Sequence, residues 1–257
     1  MIRNSKQKKG GSGDVNNDKG AEKNNVVINH YLALKGYCSR RKAVEYIKSG
    51  KVNINGEVAE IGQRVAEGDV VEVTNEVATA ADHYQYYAFY KPIGVVSHNP
   101  KPGEKSVEDI FKTKKAMYPM GRLDKASEGL MLLSNDGRIV NRLLSPESGH
   151  EKEYVVTVDK RVRPTALRKL ASGVRIEGYM TKPAKTKMIK DSDTAFSIVL
   201  TEGKKHQIRR MCAALGYQVR KLRRTRIMHV KLGPMRPSQG RALTHEERQT
   251  LLKNLGL

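Results

Sequence analysis

Hydrophobic positions change their period several times along the chain, and each change marks an element. Ile28, Tyr31 and Leu32 recur at helical spacing, and Gly36 follows where a helix would stop. A second helix is expected at once. Ser39 is a good N-cap, Val44 and Ile47 form an inward stripe, and Gly50 suits the C-terminal end. From Val52 to Val58 apolar and polar residues alternate around Asn55-Gly56, the strongest short hairpin signal. Gly68-Asp69 introduces one more strand, Val70 to Val73. The pattern predicts two helices packed on a small sheet, a unit spanning residues 26–74.

The stretch 75–85 is rich in Ala and Thr, has no clear period, and reads as a linker. Beyond it, short strand patterns (Tyr86 to Tyr90, Leu130 to Leu133, Tyr154 to Val158, Phe196 to Leu200) alternate with helical ones (Val107 to Phe111, Ile139 to Leu144, Thr165 to Ala171, His206 to Leu215). They interleave without a regular β-α-β rhythm, and neither an internal repeat nor a phosphate-binding Gly-rich loop is present. The expected fold class is α+β: a small helix-hairpin domain, then a mixed, largely antiparallel α/β domain over 86–257.

Composition narrows the partners. With 38% hydrophobic residues, the 257-residue chain is too apolar to be wholly disordered and long enough for two cores. Its 48 Lys and Arg against 27 acidic residues give a net charge of +21, spread over much of the chain. A polyanion is the natural partner, because neutralising phosphates releases counterions. No basic amphipathic helix with a large apolar face and no run of membrane-spanning length appears, so no membrane role is expected. Cys38 and Cys212 are far apart and the seven histidines lack ligand spacing, which supports neither a disulfide framework nor a metal site. Residues 1–25 carry Lys, Gly, Ser and Asn without the apolar core of a signal peptide. They read as a disordered basic arm on a cytoplasmic protein.

Two constellations carry function. The first is Gly36-Tyr37-Cys38-Ser39-Arg40-Arg41-Lys42-Ala43, Ile47-Lys48-Ser49-Gly50-Lys51-Val52 and Asn55-Gly56, which resembles the S4 RNA-binding domain. Guanidinium forks, free N–H groups and the positive end of a helix dipole suit the phosphates of an RNA stem. The resemblance implies RNA contacts from Arg40, Arg41, Lys42, Lys48 and Asn55. Such domains usually open with Arg and carry Lys after Asn, whereas Val27 and His30 stand at those places here, so the first helix should grip RNA less.

The second is Met120-Gly121-Arg122-Leu123-Asp124-Lys125-Ala126-Ser127-Glu128-Gly129-Leu130-Met131-Leu132-Leu133, which looks like the aspartate motif of pseudouridine synthases. His150-Glu151-Lys152-Glu153-Tyr154-Val155-Val156 resembles the strand presenting that family's tyrosine. Gly203-Lys204-Lys205-His206-Gln207-Ile208-Arg209-Arg210-Met211-Cys212 resembles the segment supplying its basic partner. The S4-like unit in front, with Lys91-Pro92-Ile93-Gly94 at the start of the second domain, points to the RsuA branch of ribosomal RNA pseudouridine synthases. Within it, His150 to Lys160 and Arg224-Thr225-Arg226-Ile227-Met228 look most like the RluF type, which modifies large-subunit RNA.

The resemblance implies conversion of uridine to pseudouridine in a ribosomal RNA stem-loop by a monomer without cofactor or metal. Asp124 would be the catalytic carboxylate, acting at the ribose or the base; Arg209 would pair with it, and Tyr154 would stack on the uracil. Arg122 and Val219 would complete the substrate contacts. The alternatives are a small-subunit or tRNA target, or a non-catalytic RNA-binding assembly factor. Loss of the carboxylate would mark the last, and Asp124 is present.

Overall fold

In the computed structural model, which describes residues 25–257, the N-terminal unit forms where the alternation predicts it. The expected basic arm lies outside the described residues except for Asn25. The unit comprises β1 (Val26–Val27), α1 (Ile28–Leu34), α2 (Arg40–Lys48), β2 (Val52–Ile54), β3 (Glu57–Val58), β4 (Arg64–Val65) and β5 (Val71–Val73). Ser39 caps α2 by accepting from the Lys42 N–H. The inner face of α2 is carried by Ala43, Tyr46 and Ile47, with Val44 only partly buried. A two-residue Asn55-Gly56 turn, both residues at positive φ, joins β2 to β3 and suits the right-handed strand twist.

The expected linker is partly ordered structure. Asn75–Ala78 forms a helical turn, α3, followed by a 3-10 turn at Ala80–His83. Val77 drops fully buried into the small core beside Leu32 and Ile47, which is why a segment without visible period still folds.

The second domain is one nine-stranded sheet wrapped by helices. In chain order it contains β6 (Tyr86–Lys91), α4 (Val107–Ile110), β7 (Tyr118–Pro119), β8 (Glu128–Ser134), α5 (Arg138–Leu144), β9 (Lys152–Val158) and α6 (Pro164–Ser172). There follow the hairpin β10 (Arg175–Ile176) and β11 (Tyr179–Met180), then β12 (Lys185–Met188), β13 (Ala195–Leu200) and α7 (Gln207–Ala214). The chain ends with β14 (Val219–Ile227), β15 (Val230–Lys231), β16 (Gly240–Ala242) and α8 (His245–Asn254). The sheet order is β12-β13-β9-β14-β8-β6-β16, with β15 paired to β14 and β7 to β8. Only β8 and β14 run parallel within it.

That parallel pairing is the centre of the domain. β8 is buried along its whole length, as its run of Leu and Met requires. Gly129 sits at φ +112°, and a Cβ there would lie 2.3 Å from the Arg224 carbonyl oxygen, so only glycine lets β14 come this close. One core packs α6 and α7 on β9, β13 and β14; another packs α5 and α8 against β6 and β8.

The two domains meet at α5. Arg138 holds the buried Asp136 carboxylate through Nε and Nη2 and donates from Nη1 to the Gly36 carbonyl of the N-terminal unit. A Cβ on Gly137 would stand 2.5 Å from the Ser39 Cβ, so the start of α5 abuts the cap of α2.

Candidate functional site

A cleft of about 550 Å³ opens between the 120–127 loop, β9, and the segment leading into α7. Asp124, Arg122, Tyr154, Lys152, His206 and Arg224 are among its lining residues. The cleft thus brings together three of the residues singled out in the sequence and adds three others.

The loop bearing Asp124 is held from several sides. Ser97 Oγ donates to the Leu123 carbonyl and accepts from the Leu123 N–H, at 2.8 and 2.9 Å. Gly94 N donates to Lys125 O, and Ser127 N closes a turn back to Asp124 O. Leu123 is buried beneath. The carboxylate itself is left 38% exposed at the cleft, so a fixed backbone presents a free side chain.

Arg209 takes part in holding this loop, and it does not pair with the Asp124 carboxylate. Its Nη2 donates to Ala126 O at 2.9 Å and lies 3.4 Å from the buried Ser127 Oγ; its Nη1 donates to Val219 O at 3.1 Å. The guanidinium, rooted in the first turn of α7, therefore staples the loop to the head of β14. The basic side chain beside the carboxylate is that of His206, whose Nε2 is 3.5 Å from Asp124 Oδ1. His206 occupies the left-handed N-cap position of α7, a backbone setting in which His is enriched among non-glycine residues, and sequence pattern alone marks it only as a helix start.

Tyr154 is part-buried on β9, directly across from Arg224 on β14 and Ile198 on β13. Residues opposite one another on neighbouring strands present side chains to the same face. Tyr154 therefore reaches the cleft beside Arg224. Val219 does not line the cleft; its carbonyl serves Arg209 instead.

Arg224 is 4% exposed. Its Nε donates to Leu130 O at 2.6 Å, and its Nη1 lies 3.3 Å from Arg122 O, tying the aspartate loop to β8. Lys91 is fully buried beneath, donating to the carbonyls of Pro92 and Val95; burial first, then the neighbouring Arg224 charge, pushes its ammonium down to about 8. Burial and Arg224 also lower the Lys152 ammonium below the usual lysine range. All three fall inside the motifs quoted above, but a charged residue in a strand by itself suggests a solvated face, so the sequence alone gives none of them a place in the site.

On the N-terminal unit, Arg40, Arg41 and Lys48 stand exposed around α2. Lys42 is exposed too, but its Nζ is engaged by Glu45 at 2.6 Å and lies over the Tyr46 ring. Asn55, expected at RNA, uses its side chain inside the hairpin. Its Nδ2 donates to Asp69, and its Oδ1 accepts from Val70 N. Among the described residues, no His, Cys, Asp or Glu cluster is arranged to hold a metal, and no helix is long and apolar enough to cross a membrane.

Comparison with known proteins places both halves. Residues 85–214 match the family model described as RNA pseudouridylate synthase, and residues 28–71 match the S4 domain. The dual-specificity RNA pseudouridine synthase RluF of Escherichia coli K12 is 42% identical over 230 residues, covering 89% of this chain and 79% of that protein. The ribosomal large subunit pseudouridine synthase B of Bacillus subtilis is 39% identical over 223 residues, covering 84% and 91%. A solved pseudouridylate synthase superposes with a TM-score of 0.65 at 30% identity, over 88% of this chain and 99% of its own.

Proposed function

The chain belongs to the RNA pseudouridylate synthase family, with an S4 RNA-binding domain ahead of the synthase domain, and we propose that it isomerises a uridine of large-subunit ribosomal RNA. The observation that carries the site assignment is the half-exposed Asp124 carboxylate, held by a clamped loop at the cleft that Tyr154 also lines. Similarity to RluF and to the large-subunit synthase of B. subtilis supports the choice of RNA.

Isomerisation breaks the N1–C1′ bond, turns the uracil and rejoins it through C5. It is redox-neutral and needs no energy-rich donor. The Asp124 carboxylate assists departure of the base at the ribose, either by bonding to C1′ or by taking the C2′ proton. Tyr154 stacks on the uracil. Arg209 is a positioning residue: through Ala126 O and Ser127 Oγ it fixes the loop that carries the carboxylate. Arg122 stands at the mouth to meet the flanking backbone of the RNA.

The base must leave its stack to be turned, at about a few kcal/mol, so a loop or bulge is the favoured target. Arg40, Arg41 and Lys48 on the S4 unit grip the adjoining stem, and the enzyme acts as a single chain in the cytoplasm. Pseudouridine maps of ribosomal RNA and tRNA from cells with and without the gene test this. One large-subunit site should disappear on deletion, and a loss confined to small-subunit RNA or to tRNA would refute the substrate assignment.

A further inference from the structure

The cleft wall contains more positive charge than its loop-holding duties require. Arg224 spends Nε and Nη1 on main-chain carbonyls, but its Nη2 is buried and donates to nothing. A buried cationic donor without a partner is expensive, and native structures keep one where something else supplies the acceptor. Lys152, two residues before Tyr154 on the same face of β9, also lines the cleft and makes only a long 3.3 Å contact to His150 O. Among the described residues no carboxylate forms an ion pair with either side chain. Glu151 and Glu153, on either side of Lys152, are engaged by Arg226. Arg224 and Lys152 thus flank Tyr154, one across the strand pair and one along its own strand.

Only one step of the reaction places negative charge there. When C1′–N1 breaks, its electron pair leaves on N1 and spreads over O2 and O4 of the uracil ring. The ribose carbon is meanwhile held as the Asp124 ester, or has become an alkene after the C2′ proton passes to Asp124. C5 of the uracil anion then bonds to C1′ as the C1′–Asp124 bond breaks, or as Asp124 returns its proton to C2′, and transfer of the C5 proton to N1 gives the neutral pseudouridine ring. Asp124, esterified or protonated at that stage, has no positive charge to set against the departing base.

Building on the assignment of Asp124 and Tyr154 above, we propose that Arg224, assisted by Lys152, binds the uracil anion formed on glycosidic cleavage. The pair is preorganised for it: the guanidinium is fixed by Leu130 O and Arg122 O in a water-poor wall, where a cation acts on developing charge with little reorganisation. Arg224 is then a catalytic residue as well as a support for the loop.

The two roles separate by leaving-group chemistry. Fluorine at C5 stabilises the uracil anion intrinsically, so a 5-fluorouridine target needs less help from the protein. Single-turnover loss of the N-linked nucleoside, read by mass spectrometry of digested RNA, is measured for uridine and 5-fluorouridine stem-loops. Arg224→Gln should slow cleavage of the uridine RNA by about 10²- to 10³-fold, and that of the fluorinated RNA by about tenfold less, with RNA affinity within about twofold of wild type. Lys152→Gln, which leaves the loop contacts intact, should show the same selectivity at about tenfold loss, and it decides the matter if Arg224→Gln does not fold. Equal losses on both RNAs would overturn the proposal and leave Arg224 a support. A fall in affinity with a shallower salt dependence would overturn it in favour of a phosphate contact. A wild-type enzyme that leaves both RNAs unchanged would instead defeat the functional reading on which it rests.

Discussion

The S4 unit and the synthase cleft both display arginine, and they use it in opposite ways. Around α2, Arg40 and Arg41 stand in solvent at the start of a helix, where many side-chain positions satisfy a phosphate equally well. In the cleft, Arg209 and Arg224 spend their donors on named carbonyls of the aspartate loop and its neighbouring strands, and small displacements would be felt. Charge in the first setting is worth affinity, is screened by salt, and is shared among many groups. In the second it is worth geometry, and no neighbour can substitute.

The largest effect should come from the group these clamps serve. Asp124→Asn keeps the shape of the side chain and should reduce tritium release from C5-labelled uridine RNA by at least about 10³-fold, with RNA binding equal or slightly tighter. Full turnover would break the assignment of the cleft as catalytic. Gly129→Ala tests how closely the clamped region is built. Its Cβ would meet the Arg224 carbonyl at 2.3 Å, and denaturant titration should show roughly 3 kcal/mol of lost stability. Arg209→Met removes the staple without touching the carboxylate. Turnover should drop by about 10- to 100-fold, while the pH dependence of the residual rate stays in place, because Arg209 holds backbone and not the Asp124 charge.

On the other side of the comparison, Arg40→Gln and Arg41→Gln should each weaken binding similarly for any RNA stem and reduce the magnitude of the log–log salt slope by about 0.7 to 0.9, leaving the rate at saturating RNA unchanged. A loss of rate without a change of slope would mean that the S4 arginines set geometry after all. The smallest effect concerns the two thiols, one in each domain. Burial pushes Cys38 up to about 11 and Cys212 up to about 12, from an ordinary value near 9.0. Unfolding would release these protons above about pH 9, so stability falls as pH rises from there toward about 11 for Cys38 and about 12 for Cys212. The Cys38→Ala, Cys212→Ala double variant should lose less over that window in thermal melts.

What the sequence shows of this architecture follows how local each signal is. The capped α2 helix, the Asn55-Gly56 hairpin and the strands around Tyr86, Leu130, Tyr154 and Phe196 rest on period, caps and turn chemistry within a few residues, and they appear where expected. β14 is not visible in the sequence because its period is disguised: buried Leu222, Arg224 and Ile227 are separated by Arg223, Thr225 and Arg226, all exposed or part-exposed, and a buried arginine looks like a solvated one until its partners are known. α3 reads as linker because a single buried Val77 leaves no periodicity to detect. The aspartate, the tyrosine and Arg122 were legible from motif and reach one cleft. The role of Arg209 was not, since its partners, Ala126 and Val219, lie 83 and 10 residues away and are main-chain atoms that any sequence supplies. Asn55 shows the reverse: the S4-like motif implies an RNA contact for it, but the turn itself consumes both of its side-chain groups.

The joint at α5 gives the molecule a fixed gauge. Arg138, fixed by the Asp136 carboxylate buried in the synthase core, donates directly to the Gly36 carbonyl, and the absence of a side chain at Gly137 lets Ser39 seat directly against it. The cap of the arginine-bearing helix is thereby set at one distance from the aspartate loop. A stem held at one jaw presents to the other only the nucleotide lying at that span, so inserting or deleting a base pair between grip and target should cost turnover even when every contacted base is kept. Measured in this way, choice of uridine is partly a matter of length, set where the two domains touch and far from any base.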